Sequence, residues 1–549
     1  MSDAARIFDG LIQEFYQVWF RFHPADALDA GVSGYEGLLP CVDDDGMGAL
    51  SSWLENLIVS LEELDFQALD EDRQLDLQLL FGACQAELYA LLEHDWRHRD
   101  PLRFLPVRAV HQLLLHPQVD LRGALEGSLS RIPEYLRYAR SQLSTFPELI
   151  PSLWLESAGL EGRAGILYLR ELRENPLVRR LCKNPSRIQG LCDQAVEAME
   201  AYLHFLHEDV SSRAKGGIGC GEKRFAQLLA RKHFLSMEIA QLESLARRTY
   251  EQTWDELKAL CLKHNGSEEP ELWLTALRKR NPLSPSEMLE YVRAQSHALH
   301  NFLRDQEVFD IPQDARLKVS EAPASLHTKA CAPSYVPPAP GDPHLCGVLY
   351  FNLVDTALCD RLPAVLTGQC IRGGWPGRHL QAVAAAMGPA AGTLPRRLHV
   401  SATLMEGWPL YAEQLMFELG FSAEPEQSLM RLLERLRRCL LAILDIEIHA
   451  QGLEPEKAVQ MLAVLPGMSE EKAEADLLQL SRYPADALAT IIGYRLIEVL
   501  HKQQCAIGDE QCGAFDGHLL QQGAVAAPLV IRHHFGAPAW DVVREQVGC

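Results

Sequence analysis

The chain has no Cys-x-x-Cys pair, although fourteen cysteines are spread from Cys41 to Cys549. Thiolate zinc sites need cysteines in close pairs, so this scatter predicts reduced, packed thiols rather than a metal site or a disulfide frame. Positive charge is also in deficit: 52 basic against 74 acidic residues give a formal charge of −22, which argues against nucleic acid or an anionic membrane as a partner. Nowhere do about eighteen apolar residues run uninterrupted, the length a membrane-spanning helix needs. Met1-Ser-Asp-Ala-Ala-Arg-Ile-Phe8 lacks the basic start and apolar run of a secretory leader, so the expected location is the cytoplasm. There is no Gly-x-Ser-x-Gly elbow. Ala214-Lys-Gly-Gly-Ile-Gly-Cys-Gly221 is rich in glycine but has no Lys-Ser/Thr ending, and reads as a loop rather than a phosphate cradle.

What is present is helix. Ile7, Leu11, Phe15, Val18, Trp19 and Phe22 recur at three- and four-residue spacing, and the run stops at His23-Pro24. The same spacing marks 50–64, 71–92, 121–143, 188–206 and 228–260, with no alternation of period two before residue 345. Pro323, Pro333, Pro337, Pro338, Pro340 and Pro343 mark an extended loop, after which Gly347-Val-Leu-Tyr-Phe-Asn-Leu353 reads as a lone short strand. With 47% hydrophobic residues the chain can bury a large core. The expected architecture is all-α: an N-terminal helical lobe over 1–250, a C-terminal helical lobe over 251–549, a central cleft, and a short β element near 347–353.

Two segments carry the chemistry. Thr367-Gly-Gln-Cys-Ile-Arg-Gly-Gly-Trp-Pro-Gly-Arg-His-Leu-Gln381 opens a helix, and about one helix later comes Glu406-Gly-Trp-Pro-Leu-Tyr-Ala-Glu413. A glycine-rich helix start followed by spaced carboxylates is a layout from which a helical metallohydrolase builds a zinc site. Glu406 and Glu413, seven apart, share a helix face, as do Asp445 and His449, four apart. Joined with Gly347–Leu353, Asp445-Ile-Glu-Ile-His449, Arg482-Tyr-Pro-Ala-Asp-Ala-Leu488 and, in the first half, Pro24-Ala-Asp-Ala-Leu-Asp-Ala-Gly31 and Arg131-Ile-Pro-Glu-Tyr-Leu136, these segments resemble in order and spacing the bacterial domain-of-unknown-function 885 family, nearly end to end.

That family is similar to zinc peptidases of the gluzincin kind, and its signature runs His-Glu-x-x-Pro-Gly-His-His-Leu-Gln, then Glu-Gly-Trp-Ala-Leu-Tyr-x-Glu. With Pro376, Gly377, His379, Leu380 and Gln381 in register, Arg372 takes the place of the first His, Gly373 that of the catalytic Glu, and Arg378 that of the next His. An arginine is always protonated and offers only donors, so it cannot ligate zinc. Zinc is therefore not expected, and the resemblance leaves His379, Glu406, Asp445 and His449 as remnant metal candidates.

The preferred reading is a non-hydrolytic pseudo-peptidase. In it, Arg372 and Arg378 pair with Glu406 or with the carboxylate of a peptide or small ligand, or the old cleft docks a protein partner. A remodelled enzyme is the alternative, acting on a peptide-like or amino-acid-derived metabolite. It would use iron or manganese, or metal-free chemistry with Glu406 or Glu413 as base and the arginines as anion clamp. Tyr350, Asn352, Tyr411, Arg482 and Tyr483 complete the substrate-binding set that the resemblance implies. Asp445 and His449 have a plainer reading, as residues that hold helices together.

Overall fold

The first long helices begin where a short polar side chain can take up an unpaired amide. Ser2, Asp43, Asp70 and Asp120 each accept an N–H from the first turn of α1 (Asp3–Phe22), α2 (Asp44–Glu62), α3 (Glu71–Glu93) and α4 (Leu121–Thr145). With α5 (Ser152–Leu172) and α6 (Pro185–Phe205) they build one compact unit, Met1–Ile218. Its core takes Phe8, Phe15, Trp19 and Phe20 from one face of α1. By length and composition α3 could cross a membrane; Leu75, Leu77, Leu79 and Leu80 are buried in this unit, and 39% of its most apolar stretch is buried in all. The computed structural model describes residues 2–115, 120–172, 174–181, 185–280, 282–322, 333–353, 361–421, 423–508, 515 and 517–548.

The second unit begins at Gly219. Its elements include α7 (Glu222–Arg231), α8 (Ile239–Asn265), α9 (Pro285–Asp305), β1 (Arg316–Glu321), β2 (Ser334–Val336), β3 (Cys346–Phe351), α10 (Pro363–Gly373), α11 (Arg378–Met387), α12 (Gly407–Glu418), α13 (Pro425–His449), α14 (Glu470–Arg482) and α15 (Asp486–Ile507), with further helices between and after them. The expected boundary at residue 250 falls inside α8, which belongs to the second unit because it packs along α13. There the buried Arg435 guanidinium donates to Thr253 Oγ1 at 3.0 Å and Tyr494 Oη at 3.2 Å and pairs with Glu256, tying α8, α13 and α15 together.

Among the described residues the chain is mainly helical, with one small sheet of order β1-β3-β2, in which β3 runs parallel to β1 and antiparallel to β2. The strand expected to stand alone is its centre. Gly347, Leu349 and Phe351 point into the core, and Cys346, Val348 and Tyr350 to the other face. Of the proline-rich stretch read as a loop, residues 323–332 lie outside the described residues, and 334–336 form β2. The thiol expectation also needs one correction. Cys41, Cys84, Cys192, Cys220, Cys261, Cys346, Cys370 and Cys439 are free, but Cys505 is disulfide-bonded.

Packing of α15 against the start of α12 is closer than side chains allow. A Cβ on Gly493 would overlap the Thr403 carbonyl, and one on Gly407 would lie 2.9 Å from the Gly493 carbonyl carbon. Because the obstacle is backbone, no rotamer change relieves it. Gly493→Ala is expected to lower unfolding free energy by about 3 kcal/mol, the upper end for overpacking, in chemical denaturation.

Candidate functional site

The glycine-rich turn between α10 and α11 is shaped by its own backbone and pinned from outside. Gly374 N–H donates to the Cys370 carbonyl at 2.9 Å, and Gly377 N–H to the Ile371 carbonyl at 3.0 Å. Trp408 Nε1 on α12 donates to the Pro376 carbonyl at 2.8 Å, and Gln381 Nε2 donates to the Leu404 carbonyl at 2.9 Å. This fixes Arg372, in the last turn of α10, and Arg378, the first residue of α11, against α12. Arg372 Nη1 donates to Glu413 Oε1 at 2.7 Å, and Arg378 forms an ion pair with Glu406. Gly368 leaves the room for the first pair: a Cβ there would stand 2.5 Å from Glu413 Oε1.

The ionic cluster runs on into α13. Arg438 Nε donates to Glu434 Oε1 at 2.9 Å, while its Nη1 lies 3.8 Å from Glu406 Oε2. Arg437 Nη1 donates to Glu434 Oε1 at 3.1 Å, and its Nε to Asp476 Oδ2 at 2.7 Å. Charges therefore alternate along Arg378, Glu406, Arg438, Glu434, Arg437 and Asp476, with the Arg372–Glu413 pair alongside. Burial raises the Glu434 pKa, but Arg437, Arg372 and Arg438 outweigh it and hold the group well below the usual carboxylate range. Glu413 goes the other way. Burial pushes it up, Arg372 offsets only part of that, and the neighbouring Glu434 charge adds to the rise.

Glu413 is 4% exposed, and its Oε2 has no hydrogen-bond partner among the described residues. It lines a cavity of about 90 Å³ lying wholly within the second unit, whose polar wall also holds Arg372, Glu434, Arg437 and Lys472. The rest of the wall is aliphatic, with Leu274, Leu433, Leu436 and Leu465 among its members. Glu434, Arg437, Lys472 and Asp476 were not among the residues singled out in the sequence. The signal for three of them was present: Glu434, Arg437 and Arg438 stand at i, i+3 and i+4, on one face of α13.

Other expected site residues lie elsewhere. His379 is fully buried beside β2 and β3, with Nδ1 2.9 Å from the Tyr335 hydroxyl and its ring edge-on to Trp375 at 4.4 Å. Burial pushes its pKa down to about 3, so the imidazole is neutral. Arg378, not His379, meets Glu406. At Gly373, where the resemblance placed the catalytic carboxylate, a Cβ would lie 2.7 Å from Leu349 Cδ1, so a side chain there would have to displace that leucine of β3.

Asp445 and His449 act as helix ties. Asp445 accepts N–H bonds from Ala485 at 3.1 Å and Leu488 at 3.0 Å, capping the start of α15, where Ala485 has φ +71°. Burial outweighs these two bonds and pushes Asp445 up to about 8. His449 Nδ1 accepts from the Cys220 N–H at 3.2 Å, and its Nε2 lies 2.9 Å from the Leu480 carbonyl, which sets a neutral Nε2–H tautomer. Among the described residues, no three His, Cys, Asp or Glu side chains converge to hold a metal ion. His379, Glu406, Asp445 and His449 are thus not brought together in one cluster.

Tyr411 is buried and bonded to His501 Nδ1 on α15, and it is not among the residues that line the cavity. Tyr350 is on the face of β3 opposite the residues that touch Gly373 and His379; Asn352, just past β3, is half-buried. Arg482 stacks over its neighbour Tyr483, which is 45% exposed, and neither lines the cavity. One constellation had no sequence signature. His233 Nδ1 lies 2.9 Å from Ser401 Oγ, and its Nε2 3.1 Å from Asp486 Oδ1, where Lys232 Nζ also donates at 2.5 Å. Ser401 is fully buried at the cap of the short helix Ala402–Met405, so this chain of bonds locks helices and offers no nucleophile to solvent.

A family model described as "Bacterial protein of unknown function (DUF885)" matches residues 24–533. Among solved structures, the chain is similar to a putative lipoprotein of unknown function from Shewanella oneidensis, at 19% identity and TM-score 0.75 over 96% of this chain and 99% of that one. It is also similar to a putative lipoprotein from Colwellia psychrerythraea, at 16% identity and TM-score 0.79 over 99% of both. At these identities the likeness is one of fold. No curated protein matches the chain.

Removing one partner of the Arg372–Glu413 pair strands the other in the core, at a typical cost of about 3–5 kcal/mol, whereas replacing both by apolar groups of similar size is close to neutral. Arg372→Met is therefore expected to be strongly destabilised in denaturant titrations, and Arg372→Met/Glu413→Met to regain most of the loss. The folded Glu413 pKa in the single variant lies still further above its unfolded value. Its stability contribution is thus lost as pH rises, and the deficit of Arg372→Met grows between pH 5 and pH 8.

Proposed function

The chain belongs to the bacterial DUF885 family, and on that footing we propose that it binds a small carboxylate-bearing ligand in the cavity lined by Arg372, Glu413, Glu434, Arg437 and Lys472, without zinc hydrolysis. A zinc peptidase needs about three neutral-His or carboxylate ligands, an open position for water and a base. At the places where the resemblance put two ligands and the base, this chain has two guanidinium groups, each engaged with a carboxylate on or beside α12, and a glycine covered by Leu349. These residues do not fit zinc. The guanidinium groups supply fixed positive charge beside Glu406 and Glu413 instead.

One observation carries the binding reading. The cavity wall holds three cationic side chains and, on Glu413, a buried oxygen with no hydrogen-bond partner among the described residues. Cationic side chains on the wall of an otherwise aliphatic cavity are the groups that a small carboxylate recognises. The Glu413 carboxyl, pushed up by burial, favours a second reading in which it is a general acid for metal-free chemistry on that ligand.

The test uses 4-methylpentanoate as probe in isothermal titration calorimetry. Saturable binding with Kd near or below about 1 mM is expected, weakened about tenfold or more by Lys472→Met. No heat of binding at several millimolar acid, or hydrolysis of unblocked peptides that a chelator abolishes, would overturn the proposal. Turnover of the probe in the absence of metal would move the protein to the second reading.

A further inference from the structure

The last turns of α15 bring a sulfur, an imidazole and a phenol into one line, and none of the three lines the cavity described above. His501 and Cys505 stand four apart on the same face of that helix. Cys505 Sγ lies 3.2 Å from His501 Nε2, and His501 Nδ1 is bonded to the hydroxyl of Tyr411 on α12. The imidazole is edge-on to Tyr411, with ring centres 5.7 Å apart, and tilted against the buried Phe515 at 5.1 Å.

Cys505 is disulfide-bonded, and this decides which atom donates along the line. A disulfide sulfur has no hydrogen, so in the contact with Nε2 the imidazole must supply the proton. Burial pushes the His501 pKa below its ordinary value, Glu418 opposes the fall and Lys502 adds to it, so at pH 7 the ring is neutral and has one N–H. Nδ1 is then the bare nitrogen, and it accepts the Tyr411 O–H. A tyrosine on one helix thus aims an N–H on another at a sulfur. The free cysteines offer a contrast. Cys41 Sγ donates to Asp43 Oδ2 at 3.1 Å and Cys370 Sγ to the Val292 carbonyl at 3.7 Å, acceptors that favour the protonated thiol. Burial and Asp43 push Cys41 up to about 11, and burial pushes Cys370 up as well.

We propose that the Cys505 disulfide is redox-active and exchanges with a small dithiol, with Cys505 as the sulfur that leaves, His501 as the group that holds the departing thiolate and Tyr411 as the residue that positions His501. Cys505 and His501 are only half-buried, which leaves them open to a reagent from solvent. The other eight described cysteines are free, so the sulfur bonded to Cys505 belongs to a cysteine outside the described residues. One thiol of the reductant loses its proton to solvent and bonds to that partner sulfur. The S–S bond breaks, and its electron pair leaves with Cys505 Sγ, where the Nε2–H of His501 stabilises the charge. The second thiol, once deprotonated, attacks the mixed disulfide; the reductant departs as a cyclic disulfide, and the partner cysteine departs as a thiolate that takes a proton from solvent. Two electrons pass from the dithiol to the protein. An N–H held against the leaving sulfur speeds the exchange and favours the reduced form. Ligand binding in the cavity is not involved.

The test equilibrates the full chain at pH 7 with graded ratios of reduced to oxidised dithiothreitol, quenches in acid, alkylates, and reads the reduced fraction at Cys505 by peptide mass spectrometry. Reduction is expected without denaturant. In His501→Phe the equilibrium constant for reduction should fall about tenfold, the effect of losing one hydrogen bond to a charged group, which is about 30 mV in potential. Tyr411→Phe keeps the ring and leaves the disulfide untouched; it should lower the constant about threefold, because the Nε2–H tautomer is no longer imposed. The second variant also covers the case in which His501→Phe does not fold. A free thiol at Cys505 in protein purified without reductant would refute the disulfide. A constant within about twofold of the parent chain in the folded variants, or a bond that dithiothreitol reduces only after unfolding, would refute the relay and leave a purely structural cross-link.

Discussion

A guanidinium and a carboxylate sealed together between α10 and α12 constrain everything around them. Neither Arg372 nor Glu413 could sit where it does alone, because the desolvation of a single buried charge costs several kcal/mol. Their contact requires that Gly368 carry no side chain, since a Cβ would press on the carboxylate oxygen. It requires the last turn of α10 to face α12, which the bond from Trp408 to the Pro376 carbonyl secures. Arg378 with Glu406, and the run through Arg438, Glu434, Arg437 and Asp476, then extend one pair into a layer of matched charge between five helices.

Matching is complete along most of that layer and fails at one atom. Where all groups are satisfied, buried ionic networks specify which helices pack together rather than adding much stability. Asp445 and His449 show this role in a smaller form: the first caps α15, the second joins the Cys220 amide to the end of α14. At Glu413 Oε2, a buried atom, the accounting stays open among the described residues. The proposed ligand site lies beside this layer, on a cavity wall that carries Arg372, Arg437 and Lys472.

Much of this was legible in the residues, and the failures have physical causes. Periodicities of three and four located the helices because their apolar faces are continuous, and the β-branched run at 347–353 announced β3. β1 and β2 went unread because a six-residue strand with four polar or charged positions and a three-residue strand in a proline-rich segment lack an apolar pattern to detect. Glu406 and Glu413 could be placed on one helix face by arithmetic. Their partners could not, because adjacent residues on a helix point about 100° apart, and the backbone of the glycine-rich turn decides whether residue 378 or 379 meets Glu406. The glutamate and arginines of α13 were hidden among leucines that gave the helix its more obvious meaning. Asp445 and His449, four apart, looked like ligands because the same spacing serves caps and metals alike.

The central claim is that fixed guanidinium charge stands where a metal would otherwise be held, so that this scaffold binds a ligand without one. Metal analysis of protein purified without chelators, followed by zinc titration, tests it most directly. The account predicts far less than one equivalent of any transition metal per chain and no saturable zinc binding. One equivalent of tightly held metal that is lost in Glu406→Ala would contradict it.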